Sequence, residues 1–360
     1  MMGRAGRPAA PSGIVAAAAM AVAVALAGAC GDGTRPTAPP ENDAPLVTDA
    51  VPAVYPAGTP VTLAPADNAL TELRARLGRR LFFDKQLSRT GEVACVSCHH
   101  PEHAFSDPNA VSTGVEGRTG ARNASALVNQ AWGRSFFWDG RATTLEEQAG
   151  KPIENPDEMD LPLDEAAARV AADPRYVDEF EAAYQGRATA DSLRKAIASF
   201  VRVLVSSNSP YDRHLRGDDR DFGEDAQRGE AIFMSEKGGC FHCHPAGPLT
   251  NEGYFNNGLF LDGGDVGRRG ITGRTGDLGK FKVPTLRNIA ATAPYMHDGS
   301  LATLDDVLDH YARGGNGGSF TDPTIMPLSL TDTERQDLLA FLRALTDPAF
   351  LADPRWAADH

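Results

Sequence analysis

Two short runs in the 360-residue chain have the residue types and spacing for one kind of chemistry: Cys95-Val96-Ser97-Cys98-His99 and Cys240-Phe241-His242-Cys243-His244. Two thiols three positions apart can each add to one vinyl group of the same haem, and the histidine that follows is then set beneath the iron. Zinc sites and thioredoxin-like redox pairs also use paired cysteines. Two complete copies, 145 residues apart, favour haem over both. They predict two covalently attached c-type haems, held by Cys95, Cys98, Cys240 and Cys243, with His99 and His244 as proximal ligands. Of the five cysteines only Cys30 remains, so no structural disulfide is expected. The other axial position of each iron separates a carrier from an enzyme. A pure electron carrier fills it on both irons. A peroxide-using enzyme leaves one open, with a side chain nearby that moves a proton between the two oxygens. The residues available are His100, His103, His214, His242, His297 and His310, the methionines and the tyrosines, and spacing alone does not choose among them.

Helices must position these motifs. Leu70, Leu73, Leu77 and Leu81, spaced by three and four, predict a helix before the first cysteine pair. A second, strongly amphipathic helix is expected over 190–208, with Leu193, Ile197, Phe200, Val201 and Leu204 on one face. A last one begins at Thr331, where Thr331 and Glu334 have capping-box spacing. There is a weak internal echo, because Leu77-Gly78-Arg79-Arg80-Leu81-Phe82-Phe83 precedes the first motif and Arg228-Gly229-Glu230-Ala231-Ile232-Phe233 the second. Long Gly-rich stretches, notably 258–280, lie between, and few strands are expected. The fold class is therefore read as mainly α, with two cytochrome c-like helical domains, each with one haem. They are placed at 69–216 and 217–347, divided at the charged, Gly-rich run 217–225.

The N-terminus reads as an export signal. Arg4 and Arg7 precede an unbroken run of Ala, Val, Leu, Ile, Met and Gly over 14–29, too short for a comfortable membrane span. Leu26-Ala27-Gly28-Ala29-Cys30 is similar to a lipoprotein cleavage site, so residues 1–29 are expected to be removed and Cys30 to carry lipid. Residues 31–68 include eight prolines and read as a linker. This places the protein in the periplasm, with a possible membrane anchor at Cys30. Without residues 1–29, 33 basic residues face 48 acidic ones. That balance offers no stripe for nucleic acid and would steer a cationic partner protein.

Further runs resemble the bacterial di-haem cytochrome c peroxidase family, which includes MauG. They are Phe137-Trp138-Asp139-Gly140-Arg141-Ala142, Leu145-Glu146-Glu147-Gln148, Pro152-Ile153, Asn155-Pro156-Asp157-Glu158-Met159, Val283-Pro284-Thr285-Leu286-Arg287-Asn288 and Ala293-Pro294-Tyr295-Met296-His297-Asp298-Gly299-Ser300. The resemblance implies a peroxide site at the His99 haem. Glu158 would be the proton shuttle, Gln148 and Pro152 would share its pocket, and Trp138 would lie between the haems. It also implies a calcium ion held by Asn123, Thr292 and Pro294. Two departures stand out. The place of the family's distal histidine, sixteen residues after His99, is Val115, which implies an open iron even in the oxidised protein. The place of the second haem's methionine, fourteen residues after His297, is Tyr311, as in MauG, with Met326 the other candidate ligand. The implied partners are hydrogen peroxide and either an electron-donating cytochrome c or an oxidisable protein, and a dimer is compatible with the resemblance.

Overall fold

The computed structural model describes residues 44–47, 64–260 and 264–357. The expected signal segment and Cys30 lie outside them. Within the expected linker, Leu46 is buried, and the Leu46 and Val47 amides donate to the Glu72 carboxylate at 3.0 Å. There an apolar pair amid prolines seats the chain against the body.

All the described residues belong to one compact unit, 40–360. Its helices are α1 (Glu72–Phe82), α2 (Leu145–Glu154), α3 (Leu163–Ala172), α4 (Pro174–Tyr184), α5 (Ala190–Val203), α6 (Pro210–Leu215), α7 (Glu224–Phe233), α8 (Arg269–Thr272), α9 (Leu304–Ala312), α10 (Asp332–Ala344) and α11 (Pro348–Leu351). Among the described residues the only sheet is a two-residue ladder, β1 (Tyr254–Phe255) against β2 (Phe281–Lys282).

The two echoing runs build the same crossing twice. In the first half α1 packs on α5 so closely that a Cβ at Gly78 would lie 1.9 Å from the Ala196 carbonyl oxygen. One turn on, the Phe82 and Phe200 rings meet at 5.2 Å. In the second half α7 packs on α10, where a Cβ at Gly229 would lie 2.0 Å from the Asp337 carbonyl oxygen, and Phe233 meets Phe341 at 5.0 Å. Glycine, then an aromatic four residues later, is thus the local code for bringing two helices into backbone contact beside each cysteine motif.

The helix expected over 190–208 starts behind its Thr189–Ser192 capping box but ends at Val203. Beyond it the backbone donors find other acceptors: Ser206 N–H bonds Asn129 Oδ1 at 2.7 Å, and the Ser207 and Asn208 amides bond the Asp347 carboxylate at 3.2 and 2.9 Å. α10 starts at Thr331 as expected.

Past 347, the expected end of the second domain, the chain still contributes to the core. Phe350 and Trp356 are buried with Phe82, Phe105 and Phe200 of the first half, so residues 348–356 cross back to it. A fully buried ion pair, Arg287 to Asp212 at 2.6 Å, also joins segments 75 residues apart. The two expected domains are two halves of one body.

Candidate functional site

Each cysteine motif forms a tight turn, Cys95–Ser97 and Cys240–His242, in which the carbonyl of the first cysteine accepts from the histidine amide at 3.0 and 2.9 Å. The chain then bends back through a residue of positive φ, Phe105 at 59° and Leu249 at 55°. Their carbonyls receive the histidine Nδ1: His99 to Phe105 O at 2.7 Å, His244 to Leu249 O at 2.8 Å. A proton fixed on Nδ1 leaves Nε2 as the lone-pair nitrogen, which is the tautomer an iron needs. Burial lowers the pKa of His99 and holds His244 down at about 4, so both rings stay neutral. Phe82 and Phe233 stand beside the two rings at 6.4 and 6.5 Å, repeating the helix crossing next to each ligand.

The cleft around His99 is lined by Phe82, Val93, Leu127, Ile197 and both cysteines, and His99 Nε2 has no hydrogen-bond partner there. An apolar slot with two unpaired thiols on its wall and an imidazole nitrogen aimed into it fits a haem. Burial pushes the thiols up to about 12 for Cys95 and Cys240 and about 11 for Cys98 and Cys243. Among the described residues no three His, Cys, Asp or Glu gather as a metal cluster.

Gln148, Pro152 and Glu158 line the same cleft as the thiols. α2 presents the first two one turn apart, and the turn after it, Asn155 to Asp160, presents the third. Asn155 Nδ2 donates to Glu158 Oε1 at 2.6 Å. Burial raises the pKa of Glu158, against the lowering effects of that hydrogen bond and the Arg141 charge. Val115 is buried against this turn, and its N–H donates to Glu158 O at 2.8 Å. Gly114 makes the contact feasible, because a Cβ there would come within 2.2 Å of the Asp157 carbonyl. The residue in the place of a distal histidine therefore carries an isopropyl group with no donor atom.

Trp138 lies where the halves meet. Its indole Nε1 donates to Asn123 O at 2.9 Å, its carbonyl accepts from Lys282 N at 2.7 Å, and its ring is 6.4 Å from His297. Asn123 N–H bonds His297 O at 2.8 Å, bringing Asn123 to the segment that carries Thr292 and Pro294. A calcium there would rest on carbonyl oxygens, since the segment gathers no acid cluster.

At the second site Tyr311 lies toward Cys240 and Cys243, and burial pushes its phenol up to about 12. Asn257 Nδ2 donates to its hydroxyl at 3.4 Å and to Met296 Sδ at 3.2 Å. Met326, the other candidate ligand, is 65 % exposed on a loop, and the sulfur that shares Asn257 Nδ2 with the Tyr311 hydroxyl is that of Met296. Four other histidines have partners of their own. His214 sits between Asp219 and Glu230, His242 pairs with Glu236, His103 bonds Ala291 O and His310 bonds Asn257 O. Asn155, Asn257 and the Phe105 and Leu249 carbonyls escape sequence reasoning. Only the three-residue spacing of Asn155 to Glu158 hints at its role.

Residues 72–220 match the family described as di-haem cytochrome c peroxidase, and residues 226–346 match cytochrome c. The Methylamine utilization protein MauG of Methylorubrum extorquens is 39 % identical over 81 % of this chain and 83 % of its own length. The chain belongs to the di-haem cytochrome c peroxidase and MauG family. Cytochrome c551 peroxidase of Nitrosomonas europaea is 35 % identical over 76 % of this chain and 79 % of that relative. Among solved structures, a MauG-like protein associated with microbial copper homeostasis superposes with a TM-score of 0.80 at 36 % identity, over 86 % of this chain and 99 % of that one. As a member of the di-haem family the chain is an oxidoreductase with two c-type haems, one for each cysteine motif.

Proposed function

We propose that the chain reduces hydrogen peroxide to water at the His99 site, with electrons from a small redox protein such as a c-type cytochrome. The observation that carries this reading is the Glu158 carboxyl set over the same cleft as His99, hydrogen-bonded by Asn155 and raised in pKa by burial. When bound, each haem supplies an iron that changes oxidation state, and the first supplies a coordination position for peroxide. Glu158, as the carboxylate, takes a proton from one peroxide oxygen and returns it to the departing one, which leaves as water. Gln148 and Pro152 wall the cleft on the same side, and Val115 keeps that side free of a competing ligand. Trp138 supplies an oxidisable indole between the halves. Asn123, Thr292 and Pro294 are the oxygen donors we assign to a calcium ion at that seam.

A second reading, oxidation of a partner protein's side chains with peroxide as oxidant, is favoured by Tyr311. Tyr311 would hold the second iron through its phenolate, a ligand that would favour higher oxidation states. In either case we assign residues 1–29 to export toward the periplasm, Cys30 to a lipid anchor, and 69–216 and 217–347 to the peroxide and electron-transfer halves.

The test is stopped-flow mixing of the fully oxidised, haem-loaded protein with one equivalent of peroxide. A rapid spectral change is expected without prior reduction. Silence until an electron is added would mean that a hidden ligand fills the His99 site. Glu158→Gln should lower peroxide turnover by about 10²- to 10⁴-fold with haem content retained.

A further inference from the structure

We propose that residues 266–282, together with Phe260, form the docking face for an acidic redox protein that delivers the electrons one at a time. This rests on the peroxidase reading and adds to it the chemistry of the donor.

The chain carries a net charge of −13, yet residues 260–282 hold Arg268, Arg269, Arg274, Lys280 and Lys282 against Asp262, Asp265 and Asp277. Asp265 and Asp277 are already engaged. Asp265 takes Arg122 at 2.6 and 2.9 Å, while Asp277 takes Thr272 at 2.8 Å and Lys280 at 3.6 Å. Lys282 pairs with Glu252 at 3.0 Å, and Arg268 lies over the Tyr254 ring at 3.7 Å. Arg269 and Arg274 remain exposed, with no ion-pair partner among the described residues. Of the seven exposed large apolar side chains among those residues, three fall here: Phe260 at 41 %, Val266 at 46 % and Ile271 at 49 %. Exposed apolar groups interleaved with unneutralised arginines have the composition of an interface.

The face also leads inward. Phe260, Val266, Arg269, Phe281 and His297 line one cavity of about 260 Å³, and Asn257 on its wall reaches the Tyr311 hydroxyl. The half-exposed Phe260 ring lies 5.6 Å from His297, which stacks on Phe281 at 3.5 Å and lies 6.4 Å from Trp138. A partner seated on Phe260 is thus two ring contacts from the indole between the halves. The charge of the occupant follows from the contrast: an acidic surface is attracted to this island and repelled by the rest of the molecule, which fixes where it lands. The cationic partner expected from net charge alone is redirected by this local charge. The reaction balances as H2O2 + 2 H⁺ + 2 e⁻ → 2 H2O, with two donor molecules each oxidised by one electron.

The experiment compares a basic cytochrome c with the same cytochrome succinylated on its lysines, both reduced, as donors to the haem-loaded full chain. Peroxide-dependent oxidation of each is normalised to that of hydroquinone. The succinylated form should be at least about fivefold faster at low salt, with the advantage fading as salt rises. Charge reversal of Arg269→Glu with Arg274→Glu should cost it about tenfold. Preference for the basic cytochrome, or no effect of the double variant, would overturn the assignment. Loss of hydroquinone turnover itself would sink the peroxidase reading instead. Docking is then still read by co-sedimentation of the succinylated cytochrome at low salt, which the double variant must abolish.

Discussion

Asn155 and Glu158 form the smallest unit on which the chemistry depends. A buried carboxyl that must accept a proton works only above its own pKa, and burial has already moved that value upward. The hydrogen bond from Asn155 to Glu158 Oε1 opposes the shift. Asn155→Ala removes a lowering influence, so the Glu158 pKa rises further and the acid limb of kcat/KM moves to higher pH. The variant should lose most activity on the acid side and recover as pH rises, in a pH–rate profile with peroxide. At the second site, Tyr311→Phe should raise the reduction potential of that haem and change its ferric spectrum, read by spectroelectrochemistry. Met326→Leu should leave both unchanged, since that side chain faces solvent. The residues with strong type signals were legible in sequence: two motifs, Glu158 and Trp138 by resemblance. Their supports were not. A carbonyl acceptor such as Phe105 O has no side-chain signature, and an amide such as Asn257 matters only where the fold has brought Tyr311 to it.

Among the elements, the helix crossings decide whether the motifs are presented at all. Gly78 and Gly229 leave no room for a methyl group against a facing backbone carbonyl. Gly78→Ala and Gly229→Ala should each cost at least about 1–3 kcal/mol by overpacking. Urea unfolding of the haem-loaded protein measures this, and loss of haem from the motif beside the altered crossing should accompany it. The helices themselves were readable because apolar spacing and capping residues are local, as at Thr331 and Thr189. The end of α5 was not, since Leu204 still fits the apolar face. Beyond its end the donors go to Asn129, which takes the Ser206 amide, and to Asp347, 139 to 141 residues further on, whose carboxylate takes the Ser206 hydroxyl and the Ser207 and Asn208 amides. A long-range acceptor competes with the helix and leaves no mark in its sequence.

For the whole molecule, the consequential feature is how the halves are tied. Arg287 and Asp212 are both buried, and the guanidinium also donates to Gly247 O at 2.5 Å. Asp212→Asn strands a buried cation and should destabilise the protein by about 3–5 kcal/mol, measured as a lower urea midpoint. The expected boundary at 217 was read from charge and glycine content, whereas the return of residues 348–356 to the first half carries no such signal. Phe350 and Trp356 look like any short apolar tail until Phe82, Phe105 and Phe200 are seen around them.

That return has a consequence for how the protein is made. Ribosomes and export machineries deliver a chain from its beginning to its end, so Phe350 and Trp356 arrive after the residues that build the second half's core, through Leu345. The first cysteine motif therefore emerges some 250 residues before the rings that complete the core beside it. Haem attachment at Cys95 and Cys98 meets an unfinished wall, whereas the second motif waits for far less chain. The order of synthesis leaves the first haem's half the last to close.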